Sequence, residues 1–169
     1  MSARIADADA GSDSGAAAGE SPDEESPDER AREEVLELLA ELGTPEQGEA
    51  FVEHFYPRFF RENPEVVPLF GIHALSEREE MMQETLRSLL ALHERASWLE
   101  TNLRALGASH AEYGVTTSMY PPFVDAFLAT LREQLGSGLS LQAERELGRM
   151  LEEITDLMAR AGGQAGASS

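Results

Sequence analysis

From residue 31 onward, large apolar side chains recur three and four positions apart, and no run alternates with period two. That pattern predicts an all-α chain. Val35, Leu36, Leu38, Leu39 and Leu42 form one amphipathic helix, closed by Gly43. Thr44-Pro45-Glu46-Gln47 opens the next, with a capping residue, a proline at the first helical position and a glutamine three residues past the cap. This second helix carries Phe51, Val52, Phe55 and Phe59 and ends before Asn63-Pro64. Pro57 falls inside it and removes the hydrogen bond to the Glu53 carbonyl, which predicts a kink or local irregularity. Residues 66 to 72 read as a short apolar connector. Leu75, Met82, Leu86, Leu89 and Leu90 mark a further helix, and residues 99 to 113 another, stopped by Gly114. Residues 120 to 135 follow, with Phe123, Phe127, Leu128 and Leu131 on one face and Gly136 at the end. Leu147, Leu151, Ile154, Leu157 and Met158 define the last helix, expected to stop at Gly162-Gly163. Six or more helices around one core is the expected architecture.

Residues 1 to 30 break this pattern. They are Ala, Gly, Ser, Asp and Glu with almost no large apolar side chain, and they contain a duplicated Ser-Pro-Asp-Glu element. Such a segment cannot bury enough apolar area to offset its ordering entropy, so a disordered acidic tail is expected, serving to solvate the chain or to bind a partner. The expected organisation is tail 1–30, helical domain 31–162 and flexible end 163–169.

Charge and composition narrow the function classes. Thirty-two acids face thirteen bases, for a net charge of −19, and every base is arginine. A chain this acidic repels phosphate backbones and anionic lipid, so neither nucleic acid nor a membrane surface is an expected partner. No cysteine is present, which excludes disulfides, Fe–S clusters and thiolate chemistry. No apolar run reaches membrane-spanning length, and the start has no basic and apolar leader pattern, so a cytoplasmic protein is expected.

The candidate chemistry centres on one histidine. Leu99, Leu103, Leu106 and His110 are spaced four, three and four apart, which places all four on one helix face. A histidine ending an apolar stripe is either a core residue satisfied by a backbone carbonyl or a buried metal ligand. The other three histidines lack this register: His73 sits in a polar connector, His93 beside Glu94 and Arg95, and His54 on the polar side of its helix. None has a glutamate three residues before it, so a di-iron helical bundle is excluded. No G-x-S-x-G or G-x-G-x-x-G run occurs. A second signal is the aromatic cluster Phe55-Tyr56, Phe59-Phe60 and Phe70. Tyr56 falls one step off the Phe55–Phe59 register, and a buried hydroxyl there needs a partner.

Three blocks, FYPRFFRENPEVVPLF (55–70), REEMMQETLRSLLAL (78–92) and LRALGASHAEYGVTTSMYPPF (103–123), resemble the single-domain bacterial haemoglobins and the haem half of flavohaemoglobins. The resemblance covers about residues 31 to 162. It implies a globin fold of six to eight helices enclosing haem b. His110 matches the proximal iron ligand and Phe70 the phenylalanine that packs on the porphyrin. Tyr56 matches the distal tyrosine that hydrogen-bonds the gas ligand. Counting back from His110, Met82 matches an apolar distal residue over the iron, and Arg78 falls where the family often has glutamine. Arg78 is then either a donor to the gas or a surface partner of a haem propionate. Tyr120 matches a tyrosine on the proximal side, and Leu106, Val115, Phe123 and Phe127 line the haem.

Some positions depart from the family. The glutamate that polarises the proximal histidine of flavohaemoglobins falls at Gly162, and the aromatic pair earlier in that helix falls at Leu147 and Leu151. The connector between Phe70 and the distal helix is about two residues shorter. The resemblance implies reversible binding and transport of dioxygen or another diatomic gas. It also allows nitric oxide dioxygenase turnover if a separate reductase supplies electrons, since no flavin or nicotinamide domain follows. The alternative is a globin-fold sensor or regulatory module in which haem is optional and the tail binds a partner. A monomer or homodimer is expected.

Overall fold

The computed structural model describes residues 26–71 and 75–166. Among them are seven α-helices: α1 (Pro27–Leu42), α2 (Pro45–Glu62), α3 (Val67–Phe70), α4 (Leu75–His93), α5 (Leu99–Glu112), α6 (Tyr120–Leu135) and α7 (Leu141–Gly166). Short 3-10 turns lie at Pro64–Val66, Thr117–Met119 and Gly136–Gly138. No strand occurs among the described residues, and no described helix is long and apolar enough to cross a membrane.

Two boundaries move from their expected places. α1 begins at Pro27, inside the stretch read as tail, because the second Ser-Pro-Asp-Glu copy is a helix start. The Ser26 hydroxyl accepts from the Glu29 N–H at 3.2 Å, and the Glu29 carboxylate accepts from the Ser26 N–H at 2.9 Å. Pro27 occupies the first helical position, where no backbone donor is needed. The first copy lies outside the described residues. At the other end, α7 runs through Gly162-Gly163 to Gly166 rather than stopping there. Gly162 is held inside the helix by its packing on α5: a Cβ at that position would lie 3.1 Å from the Gly107 carbonyl oxygen and 3.2 Å from the Ala111 Cβ. Pro57 leaves α2 a single helix over its whole length. The apolar connector resolves into the Pro64–Val66 turn and the one-turn α3, which ends at Phe70.

α7 is the spine. It packs on α5 most extensively and also on α1, α6 and α4, while α2 packs on α6, α4 and α1. The predicted stripes form the core: Val35, Leu38, Leu39 and Leu42 from α1, Phe51, Phe55 and Phe59 from α2, Phe127 and Leu131 from α6, and Leu147, Leu151 and Ile154 from α7. Phe51 and Phe127 meet at 4.8 Å between ring centroids, and Phe55 and Phe123 meet edge-on at 5.3 Å. Each such side chain, fully buried, contributes about 1.5–3 kcal/mol. Leu147 and Leu151 have no residual exposure, so the positions that carry aromatics in the family serve packing here.

Candidate functional site

A cavity of about 1220 Å³ opens between α2, α4, α5 and the start of α6. Leu103, Leu106 and His110 of the stripe line it from α5, while Leu99 lies in the core and does not. Phe70, Tyr56, Val115, Tyr120 and Phe123 line it too.

The end of α5 fixes His110. Gly114 takes φ +93, a left-handed conformation that a Cβ would disfavour. The Gly114 N–H donates to the Ala111 carbonyl at 3.0 Å and the Val115 N–H to the His110 carbonyl at 2.9 Å. This pair of bonds is a Schellman closure, and it folds Val115 back against the last turn of the helix. The His110 ring has its own anchor, Nδ1 lying 2.8 Å from the Leu106 carbonyl oxygen. A carbonyl only accepts, so Nδ1 carries the hydrogen. The lone pair of the neutral ring is then on Nε2. Burial lowers the His110 pKa from the ordinary imidazole value, and the Leu106 carbonyl opposes it in part. Nδ1 is thus satisfied by a carbonyl, and Nε2 keeps its lone pair on a ring that lines the cavity.

Behind α5, the backbone of α7 comes close. A Cβ at Gly107 would collide with the Met158 carbonyl, so only glycine fits that crossing. Gly162 lies one turn further along α7, against Gly107 and Ala111. Any side chain at 162 would start in tight contact with the Gly107 carbonyl and Ala111, and the partner of Nδ1 is the Leu106 carbonyl.

The opposite wall differs from expectation. Met82 and Phe127 are core residues, 1% and 0% exposed, and neither lines the cavity. On α4 the cavity faces are Met81, Thr85 and Ser88, one position away from Met82 and the apolar stripe. The physical reason is that α4 turns Met82, Leu86 and Leu89 into the helical core, leaves Leu75 and Leu90 exposed, and presents a mixed face to the pocket. Arg78 does not line the cavity either. Nor is it a surface residue. Its Nη2 donates to the Phe70 carbonyl at 3.3 Å. Its guanidinium lies 5.1 Å from the Phe60 ring centroid and 5.9 Å from that of Tyr56. Its Nε is buried with no acceptor among the described residues.

Tyr56 is 4% exposed, and its ring meets Phe70 at 5.6 Å. Its hydroxyl donates to the Arg78 backbone carbonyl at 3.0 Å, the partner that a buried phenol requires. Burial pushes the phenol pKa well above its ordinary value, against a smaller opposing pull from the Arg78 guanidinium. Tyr56 therefore stays a protonated donor at any physiological pH. Burial also raises Tyr120.

The cavity rim on the α4 side is acidic, with Glu77, Glu80 and Glu84. Asn102 of α5 donates to Glu84 at 2.8 Å and so ties the two walls together. Arg87 also lines the cavity and pairs with Glu84 at 3.0 Å. No group of three or more His, Asp or Glu side chains among the described residues is placed to hold a bare metal ion. Of the other histidines, His54 is exposed and turned to the Ala50 carbonyl, and His93 is half-buried rather than exposed. His73 lies outside the described residues.

Sequence reasoning missed Met81, Thr85, Ser88, Met119 and Met158 as cavity residues. The polar Thr85 and Ser88 among leucines were the available signal for the α4 face.

The family model for globins matches residues 53–158. A flavohemoprotein from Rhizobium meliloti (strain 1021) is 29% identical over 136 residues, covering 72% of this chain and 34% of its own length. The chain thus spans about a third of the length of that relative. Among solved structures, haemoglobin of the shortfin mako, Isurus oxyrinchus, superimposes with a TM-score of 0.62 at 18% identity, covering 77% of this chain and 94% of that one.

Proposed function

The chain belongs to the globin family, and from that premise we propose that it holds haem b at His110 and reversibly binds a diatomic gas, dioxygen first among them. The observation that carries this reading is His110 itself: a neutral ring, its Nδ1 fixed to the Leu106 carbonyl, lining a cavity with Phe70 and Tyr56. The residues fit the group. A haem needs an apolar slot, one axial nitrogen and a few placed polar groups. Leu103, Leu106, Val115, Phe123 and Phe70 supply the slot, and His110 Nε2 supplies the nitrogen. Haem, when bound, supplies the iron chemistry of gas binding.

The protein's own groups do the rest. The Leu106 carbonyl holds the ring orientation and keeps the proton on Nδ1, which leaves Nε2 basic. Tyr56 is the distal donor. Its single hydrogen already goes to the Arg78 carbonyl, so donation to a gas exchanges one hydrogen bond for another. Arg87 is the cation lining the rim that a haem carboxylate could meet, in competition with Glu84. Arg78, stacked over Phe60 and Tyr56, steadies the distal corner rather than reaching the gas. Nitric oxide is a second candidate ligand, and its turnover requires a supply of electrons.

The test is the absorption spectrum of the chain reconstituted with haem, ferric, ferrous and under carbon monoxide, beside His110→Ala. The reading expects a sharp Soret band whose ferrous form reports one axial histidine. The variant should lose that signature and recover it with added imidazole. A chain that gives no such band, or one indifferent to His110→Ala, overturns the reading.

A further inference from the structure

We propose that the groove between α2 and α4, from Gly48 to Tyr56, is the entry route for a small apolar gas, with the Gln83 side chain as its outer bottleneck. The proposal rests on the haem reading above and adds a path to it. The cavity that holds His110 does not end at Tyr56. It continues to Gly43, Pro45 and Gly48 at the α1–α2 turn, and its volume of about 1220 Å³ exceeds the roughly 300–1,000 Å³ usual for a cofactor site. Gly48, Val52 and Tyr56 are four residues apart and all line it, so they form one stripe along α2. At 1.5 Å per residue that stripe is about 12 Å long. Across the groove stand Gln83 and Ser88 of α4.

Four features favour this path. Gly48 is buried within a helix, where glycine is otherwise a poor choice. A Cβ there would lie 3.0 Å from Gln83 Nε2 and 3.0 Å from the Leu42 carbonyl oxygen, so the bare backbone lets the Gln83 amide lie close across the groove. Gln83 itself is half-buried, and its flexible amide is the group that stands against Gly48 across the groove. At the start of α4 the corner beside Tyr56 is filled by the Arg78 guanidinium, packed on Phe60 and bonded to the Phe70 carbonyl. Val52, 2% exposed, supplies an apolar wall between the mouth and Tyr56.

The experiment is laser flash photolysis of the carbon monoxide complex of the haem-loaded chain, wild type beside Gln83→Trp and Gln83→Ala, with far-ultraviolet circular dichroism as the fold control. Gln83→Trp should slow bimolecular rebinding roughly tenfold, the effect of a barrier about 1.4 kcal/mol higher, and should raise the geminate fraction. Gln83→Ala should rebind at least as fast as wild type. Equal association rates in all three proteins overturn the route. Xenon-129 NMR on the chain as purified reads the same path without iron, because xenon enters dry apolar cavities. Xenon exchange that is present in wild type and suppressed in Gln83→Trp supports the route, and absence of exchange, or exchange indifferent to the variant, overturns it. A missing Soret band would count against the haem reading alone, since the xenon result stands without it.

Discussion

The two walls of the cavity are built by different means. The α5 wall is set backbone against backbone: Gly107 meets the Met158 carbonyl, Gly162 meets Gly107, and the Schellman closure at Gly114 locks the turn that bears His110. The α2–α4 wall is set by side chains: the Tyr56 hydroxyl on the Arg78 carbonyl and the Arg78 guanidinium on aromatic rings. Backbone contacts cannot relax without moving a helix, whereas side-chain bonds can be exchanged one at a time. A wall that must present one nitrogen at a fixed place suits the first construction. A wall that must admit and then hold a small ligand suits the second.

The comparison predicts a graded set of effects. Gly107→Ala puts a methyl into the Met158 carbonyl and should destabilise the fold by about 2–4 kcal/mol, the upper range for overpacking where no side chain can yield. Urea denaturation measures it, and a change under about 0.5 kcal/mol would mean that the α5–α7 contact gives way as easily as the distal one. Tyr56→Phe should leave the fold nearly unchanged and speed gas dissociation. Because the hydroxyl gives up the Arg78 carbonyl to reach a gas, the net loss should be about 1 kcal/mol, or roughly fivefold in off-rate, below the range of about 1–3 kcal/mol for leaving a buried group unsatisfied. Stopped-flow dissociation of dioxygen decides this, and a hundredfold change would show that the Arg78 bond does not compete. Asn102→Ala removes the tie between the walls and should cost about 0.5–1.5 kcal/mol, seen as a lower thermal midpoint with the His110 spectrum intact.

The pH response is the smallest and has a definite sign. Burial lowers the folded pKa of His110 below its ordinary value of 6.5. Above 6.5 the ring is neutral in both states and contributes no dependence. As pH falls through 6.5 the unfolded ring takes up its proton first, so stability declines from there down to the lowered folded value. Unfolding midpoints from pH 8 to pH 5 should fall on the acid side in the wild-type chain and fall less in His110→Gln.

Much of the molecule was legible in its sequence. The register Leu103–Leu106–His110 singled out the histidine that lines the pocket, since helical periodicity assigns a side. Gly114 and Gly136, both at positive φ, marked two helix ends because no other residue adopts that conformation so readily. The start of α1 was also written there, in Ser26 to Glu29, but its acidic composition hid the capping box. The α4 register was not legible. Its leucines, Met82, Thr85 and Ser88 allow adjacent faces to compete, and only packing against α2 and α7 decides which one meets the cavity.

The sequence by itself determined the helices, the globin family and the histidine, because these follow from local periodicity, from turn chemistry and from motifs along one chain. Tertiary structure alone decided that Nδ1 of His110 finds the Leu106 carbonyl, that Gly162 packs tightly on Gly107 and Ala111, that Tyr56 gives its hydrogen to Arg78, and that Met82 belongs to the core. Each of these depends on how closely two helices approach and how each is turned about its axis, which is set by the fit of whole surfaces and not by the pattern of any one segment.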